Sequence, residues 1–170
     1  VLKDGLIEDK QYFVPARRII RGQMVQLIRQ DWLDKLGMQA PTNVDEFYNV
    51  LKAFKEKDPG GLGGDVIPYA ISVHEPTMYD LTRSFIDYDS LDEADRWTMP
   101  HYMMPGYKDG VRFMNKLYNE GLISKDFALD RDRSQMYSDV ASGKVGFYVD
   151  DLGRTLQQGA QYDVLKNTVS

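Results

Sequence analysis

Two adjacent carboxylates, Asp150 and Asp151, follow the apolar run KVGFYV from Lys144 to Val149. An α/β fold places its ligand crevice outside the carboxyl ends of its strands, so ligand chemistry is expected at such a pair. The two can accept hydrogen bonds from ligand hydroxyls. A helix cap with a dipole-compensating neighbour explains them equally well. As a glycosidase pair they are poor, because neighbours in sequence rarely straddle a scissile bond at the required separation. A second group is Arg17, Arg18 and Arg21 within ARRIIRG. Guanidinium groups pair bidentately with carboxylate or phosphate, so these arginines are either an anion clamp or solvated loop charges.

The third group is the glycine-rich turn DPGGLGGD, Asp58 to Asp65. A phosphate-binding loop needs Lys and Ser or Thr after its last glycine, and Asp65 stands there instead. A calcium loop needs oxygen ligands at alternate positions. Asp58 fits the first position and Gly63 the sixth, but Gly60 and Leu62 occupy ligand positions. A metal-free turn is the expectation, with Asp58 and Asp65 the only carboxylates offering a weak cation site. No Ser/His/Asp order stands out, and His74 and His101 lack metal-ligand spacing.

Around these groups, 170 residues suffice for one domain with a core of its own. A net charge of −5 argues against a nucleic-acid surface. No apolar run reaches the length of a membrane span. The absence of cysteine excludes disulfides, thiol nucleophiles and thiolate metal sites, without identifying a compartment. Eleven Tyr, seven Phe and two Trp serve core packing first, and can also provide the flat faces on which sugar rings stack. The chain begins at Val1 without initiator Met or signal peptide, as expected of a fragment or processed product.

The elements that must hold these groups are partly legible. Extended structure is expected before Arg29, with strands at Gln11 to Val14 and Met24 to Ile28. Trp32, Leu33 and Leu36 mark a short helix stopped by Gly37. Thr42 is the expected N-cap of a long helix, with Asp45 as its capping-box partner and Val44, Phe47, Tyr48, Leu51 and Phe54 on one face. A buried strand is expected from Val66 to Val73, then a helix opening at Pro76 and Thr77. Asp87 to Asp95 reads as an acidic connection, and Trp97 to Met104 as a short strand or aromatic-rich loop. Tyr107, Val111, Met114, Leu117 and Tyr118 mark a second long helix closed by Gly121. Another helix is capped at Ser134 and closed by Gly143. A strand follows over Lys144 to Val149, and Asp150 or Asp151 caps a final helix. Strands alternating with helices give an α/β class.

Four segments carry a family resemblance. IEDKQYFVPARR, DWLDKLGMQAPTNVDEFYNVLKAFKEKDP, GYKDGVRFMNKLYNEGLISKDF and VASGKVGFYVDD resemble, in order, segments of family 1 extracellular solute-binding proteins. The likeness is to the long lipoprotein members that bind oligosaccharides and serve ABC importers. It implies a type II periplasmic-binding-protein-like fold with a short mixed sheet flanked by helices. Residues 1–170 would form one α/β lobe, the C-terminal-type lobe of a two-lobed receptor. Hinge crossings would lie near both termini, and the first lobe, lipobox and C-terminal part would lie outside this chain.

The resemblance implies carbohydrate capture for uptake, without catalysis and without a cofactor. Arg17, Tyr148, Asp150 and Asp151 would stand at the cleft edge, with Arg18 beside Arg17 and with Trp97 or Tyr102 as stacking platforms. The arginines would favour an acidic sugar. Many members resemble DPNGNGKADE at the glycine-rich turn, a calcium loop whose asparagines this sequence lacks. Leu152 stands where many carry Trp. The implied partners are a sugar or oligosaccharide and ABC permease subunits, not nucleic acid. The membrane would be reached only through a lipid anchor, with the receptor at the outer face of the cytoplasmic membrane, or in the periplasm of a Gram-negative cell. A carbohydrate-active enzyme fragment and a protein-interaction module are the alternatives.

Overall fold

The computed structural model describes residues 6–7, 10–11, 24–73 and 80–151. Arg17, Arg18, His74, Leu152, the end of the strand expected over residues 11–14, the start of the helix expected at 76 and the final helix lie outside them. Strands β1 (Leu6–Ile7) and β2 (Lys10–Gln11) form a two-residue antiparallel pair. The main sheet has three strands, β3 (Met24–Ile28), β4 (Ile67–Ala70) and β5 (Val145–Asp151), in the order β3-β5-β4. β5 is central, antiparallel to β3 and parallel to β4, so the sheet is mixed as expected. All residues of β5 except Asp151 are buried, as an apolar run enclosed on both faces should be.

Helix α1 (Gln30–Leu36) ends at Gly37, whose φ of 64° is the left-handed stop expected of it. Helix α2 (Val44–Lys57) begins one residue later than the Thr42 cap implies: Asn43 is the N-cap and accepts a hydrogen bond from the Glu46 amide. Glu46 in turn accepts from both the amide and the hydroxyl of Thr42. The capping box is therefore shifted by one position, since both residues are capping types and only Glu46 reaches back.

Phe47, Leu51, Tyr69, Ile71, Leu117, Leu122, Phe147 and Val149 share one buried cluster. Phe47, Tyr69 and Phe147 meet edge to face within it. Trp32 and Phe54 form a second cluster with Leu33 and Val50. That cluster lies against Gly146, where a Cβ would stand 2.4 Å from the Phe54 ring, so the strand must carry glycine to let it close. On the other side, Met136 and Val140 of α5 (Ser134–Ala141) cover Ala70, Val145 and Tyr148.

α2 runs antiparallel to β5. Phe54 lies by Gly146 and Phe47 by Phe147, so the amino end of α2 reaches the carboxyl edge of the parallel pair.

Beyond the helical residues 80–83 an excursion departs at residue 87 and returns at 105, its neck closed by the Asp87 amide donating to the Pro105 carbonyl at 3.3 Å. At the return, Gly106 adopts φ 85°, and a Cβ there would lie 1.9 Å from the Phe85 carbonyl oxygen. The excursion is not the strand or loop expected over Trp97 to Met104. It contains helix α3 (Glu93–Thr98), capped by Asp92, and a 3-10 turn at His101–Met103. Helix α4 (Tyr107–Asn119) follows as expected, with Gly121 left-handed just beyond it. Among the described residues no helix is long and apolar enough to cross a membrane.

Candidate functional site

The carboxyl end of β5 carries Tyr148, Asp150 and Asp151 within the strand, two residues beyond the end expected for it; the helix that Asp150 or Asp151 was expected to cap lies outside the described residues. Alternation sends Asp150 to the face covered by α5. It is fully buried, and Arg133 Nη1 lies 2.6 Å from its Oδ1. The Tyr137 hydroxyl donates to the same oxygen at 3.2 Å. Arg133 is itself 3% exposed and holds a left-handed φ of 69° in the position before α5. A bulky residue in that region costs energy, so the surrounding contacts must over-determine it. Ser134 is thus the first helical residue, not the cap. The helix amides of Gln135 and Met136 are taken instead by the buried Asp130 carboxylate.

Tyr148 is 6% exposed, and its hydroxyl is buried without a hydrogen-bond partner. Burial, then the charge of Asp150 and the nearby Tyr137, push its pKa up to about 12. A buried phenol without a partner is a rare exception in folded proteins. Asp151, opposite Met24, is only partly buried. Trp97 and Tyr102 are 84% and 72% exposed and lie on the excursion, so both rings are open to solvent. Arg133 and Tyr137 were missed by sequence reasoning; the one signal was an arginine amid the aspartates of LDRDRS, ahead of a helix.

The glycine-rich turn is organised by its own backbone. Asp58 is left-handed at φ 44°, and its carboxylate accepts from the Leu62 and Gly63 amides, each at 2.8 Å. These amides, Leu62 first, hold its pKa below the ordinary value. Lys35 donates to the Pro59 carbonyl at 2.9 Å, and Lys144 pairs with Asp65 at 3.2 Å. The oxygens a cation would need thus face amides and ammonium groups. No group of three or more metal-ligating side chains occurs among the described residues.

The chain matches the family described as bacterial extracellular solute-binding protein over residues 2–168. It is 35% identical to lipoprotein LipO of Bacillus subtilis over 164 residues, 92% of this chain and 32% of that protein. It is 30% identical to the polygalacturonan/rhamnogalacturonan-binding protein YtcQ of Bacillus subtilis, over 88% of this chain and 30% of that protein. The substrate-binding protein FusA of Streptococcus pneumoniae, solved with kestose, superposes with a TM-score of 0.62 at 27% identity. That match covers 78% of this chain and 28% of the FusA chain. The chain therefore spans about a third of the length of the curated relatives it matches. With the mixed sheet, these matches show that the chain belongs to the bacterial extracellular solute-binding proteins.

Proposed function

We propose that this chain is one ligand-binding lobe of a receptor that captures oligosaccharide outside the cytoplasmic membrane and delivers it to an ABC permease. The observation that carries the reading is the buried Tyr148 hydroxyl, unpartnered among the described residues, close to Asp150 on the strand that runs to the carboxyl edge of the parallel pair. The reading is supported by relatives named for saccharides, the polygalacturonan/rhamnogalacturonan-binding protein YtcQ and FusA in its kestose complex. A polar ligand enclosed on closure needs every hydroxyl paired and its apolar faces covered. Tyr148 and Asp151 supply hydroxyl contacts, and Trp97 and Tyr102 supply open ring faces. Arg17 and Arg18 remain the proposed contacts for an acidic substituent. Asp150 acts one step back, fixing the strand end through Arg133 and Tyr137. A carboxylate locked in that way is ill placed to exchange a proton with substrate, which supports a receptor that is not an enzyme.

The lipoprotein name of LipO supports a lipid-anchored location at the outer face. The glycine-rich turn works without a cation in this reading. The S. pneumoniae FusA was also solved as an EF-hand mutant with fructo-nystose. In the present chain Lys35, Lys144 and the Leu62 and Gly63 amides take up the oxygens. Thermal unfolding in calcium and in chelator should give the same midpoint; a calcium-dependent rise would overturn the cation-free turn.

Titration calorimetry with kestose, stachyose and oligogalacturonate tests the main proposal. Binding of at least one, weakened in Tyr148→Phe, is expected. Absence of heat with all three rejects it.

A further inference from the structure

A depression of about 550 Å³ opens between the carboxyl edge of the sheet and the amino end of α2, in the size range of small-molecule pockets. It does not include Tyr148, Asp150 or Asp151. Its base is formed by Phe47, Tyr69 and Phe147, with Phe47 and Phe147 centroids 4.7 Å apart and Tyr69 and Phe147 4.9 Å apart. Phe47 and Phe147 keep 8% and 7% of their surface exposed, so an apolar floor remains open beneath the depression. Gln26, which pairs across the sheet with Val149, and Asn43 stand on the wall. The Asn43 oxygen is taken by the Glu46 amide, which leaves its NH2 to donate.

Asp80 lines the same wall and is half-buried. Among the described residues no hydrogen bond reaches its carboxylate, and the charge of the neighbouring Arg83 acts on it. Burial raises the Asp80 pKa, with Arg83 opposing. After burial, the Asp80 charge is the next influence raising the pKa of Tyr69 at the floor. A partly desolvated carboxylate without donors is costly to keep, and a ligand that brings hydroxyl donors relieves that cost.

We propose that this depression is a subsite for one uncharged sugar ring, with Asp80 accepting its hydroxyls, Asn43 and Gln26 pairing its remaining oxygens, and Phe47 and Phe147 under its C–H face. The proposal rests on the carbohydrate reading above and narrows it. A uronate carboxylate placed beside Asp80 meets like charge, so the subsite selects neutral rings. The geometry also separates two tasks within one receptor. The strand meets one part of an oligosaccharide at Tyr148, and the depression at the head of α2 meets another.

The test is a methyl-labelled NMR titration of the protein with kestose, stachyose and oligogalacturonate, with calorimetry of Asp80→Asn and Gln26→Ala alongside. Kestose or stachyose should shift the methyl signals of Leu81 and Val149, which line the depression. Asp80→Asn should weaken the neutral sugar at least tenfold, with a thermal midpoint unchanged or raised because the strained charge is gone. Gln26→Ala should weaken it a few-fold. Saccharide binding that leaves the Leu81 and Val149 methyls unmoved, or that Asp80→Asn leaves intact, overturns the subsite while the carbohydrate reading stands. Preference for oligogalacturonate at those methyls also overturns it. If none of the three saccharides binds, the subsite and the carbohydrate reading fall together.

Discussion

Two acidic corners of this molecule satisfy their aspartates by opposite means. At the end of β5, Asp150 is wholly enclosed and met by a buried guanidinium and a phenol. At the glycine-rich turn, Asp58 is met by two amides of its own loop, and Asp65 by an exposed lysine at 3.2 Å. The first arrangement couples a strand to the helix packed on it, across seventeen residues of sequence. The second joins Asp58 to its own loop and Asp65 to Lys144 at the foot of β5, and it stays in contact with water. A buried charge cannot be left without its partner, whereas a solvated one can fall back on solvent. The enclosed corner is therefore a point of rigidity, and the open one is a turn that tolerates change.

Substitution can break that contrast. Arg133→Met should have the largest effect, about 3–5 kcal/mol in urea unfolding, because Asp150 is stranded in the interior. If the loss arises from stranding rather than from the pair's own worth, Arg133→Met with Asp150→Leu should recover most of it. A double variant as unstable as the single one would show that the pair itself is what stabilises the corner. Tyr137→Phe should cost about 1 kcal/mol, the worth of one hydrogen bond to the shared oxygen.

At the open corner, the depressed pKa of Asp58 gives a stabilisation that is complete above its ordinary carboxylate range and lost as pH falls through the lower folded value. Asp58→Ala should therefore flatten the acid limb of the stability profile below about pH 4. An unchanged limb would mean that the Leu62 and Gly63 bonds do not favour the charged form. The smallest effect is expected for Lys144→Ala, no more than about 1 kcal/mol and fading with added salt. A loss comparable to that of Arg133→Met would erase the distinction between the corners.

What the sequence made legible follows the same division. The apolar stripe of α2 from Phe47 to Phe54 and the Gly37 and Gly121 stops are local patterns that formed as their spacing implied, and the β5 run formed with its end two residues later than expected. The N-cap slipped from Thr42 to Asn43 because two capping residues stand side by side and a single glutamate chooses between them. The stretch around Trp97 was misread because Pro100 and Pro105 drew attention to breaks, while Asp92 had already capped the helix before them. Nothing local announced the union of Arg133 with Asp150, since it depends on how α5 lies on β5. The Asp80 depression was illegible for the same reason: its walls come from β3, α2, the helical residues 80–83 and β5, and only packing brings them together.

The neck between Asp87 and Pro105 has a further consequence. A segment whose two ends meet at one hydrogen bond can vary in length and content without asking the sheet to move. Met104, 4% exposed, is the anchor that stays behind. Residues 88–103 then form a replaceable head, and Trp97 and Tyr102 ride on it. A lineage of such proteins could trade this head for another, and with it the exposed rings it carries, while the underlying scaffold kept its stability.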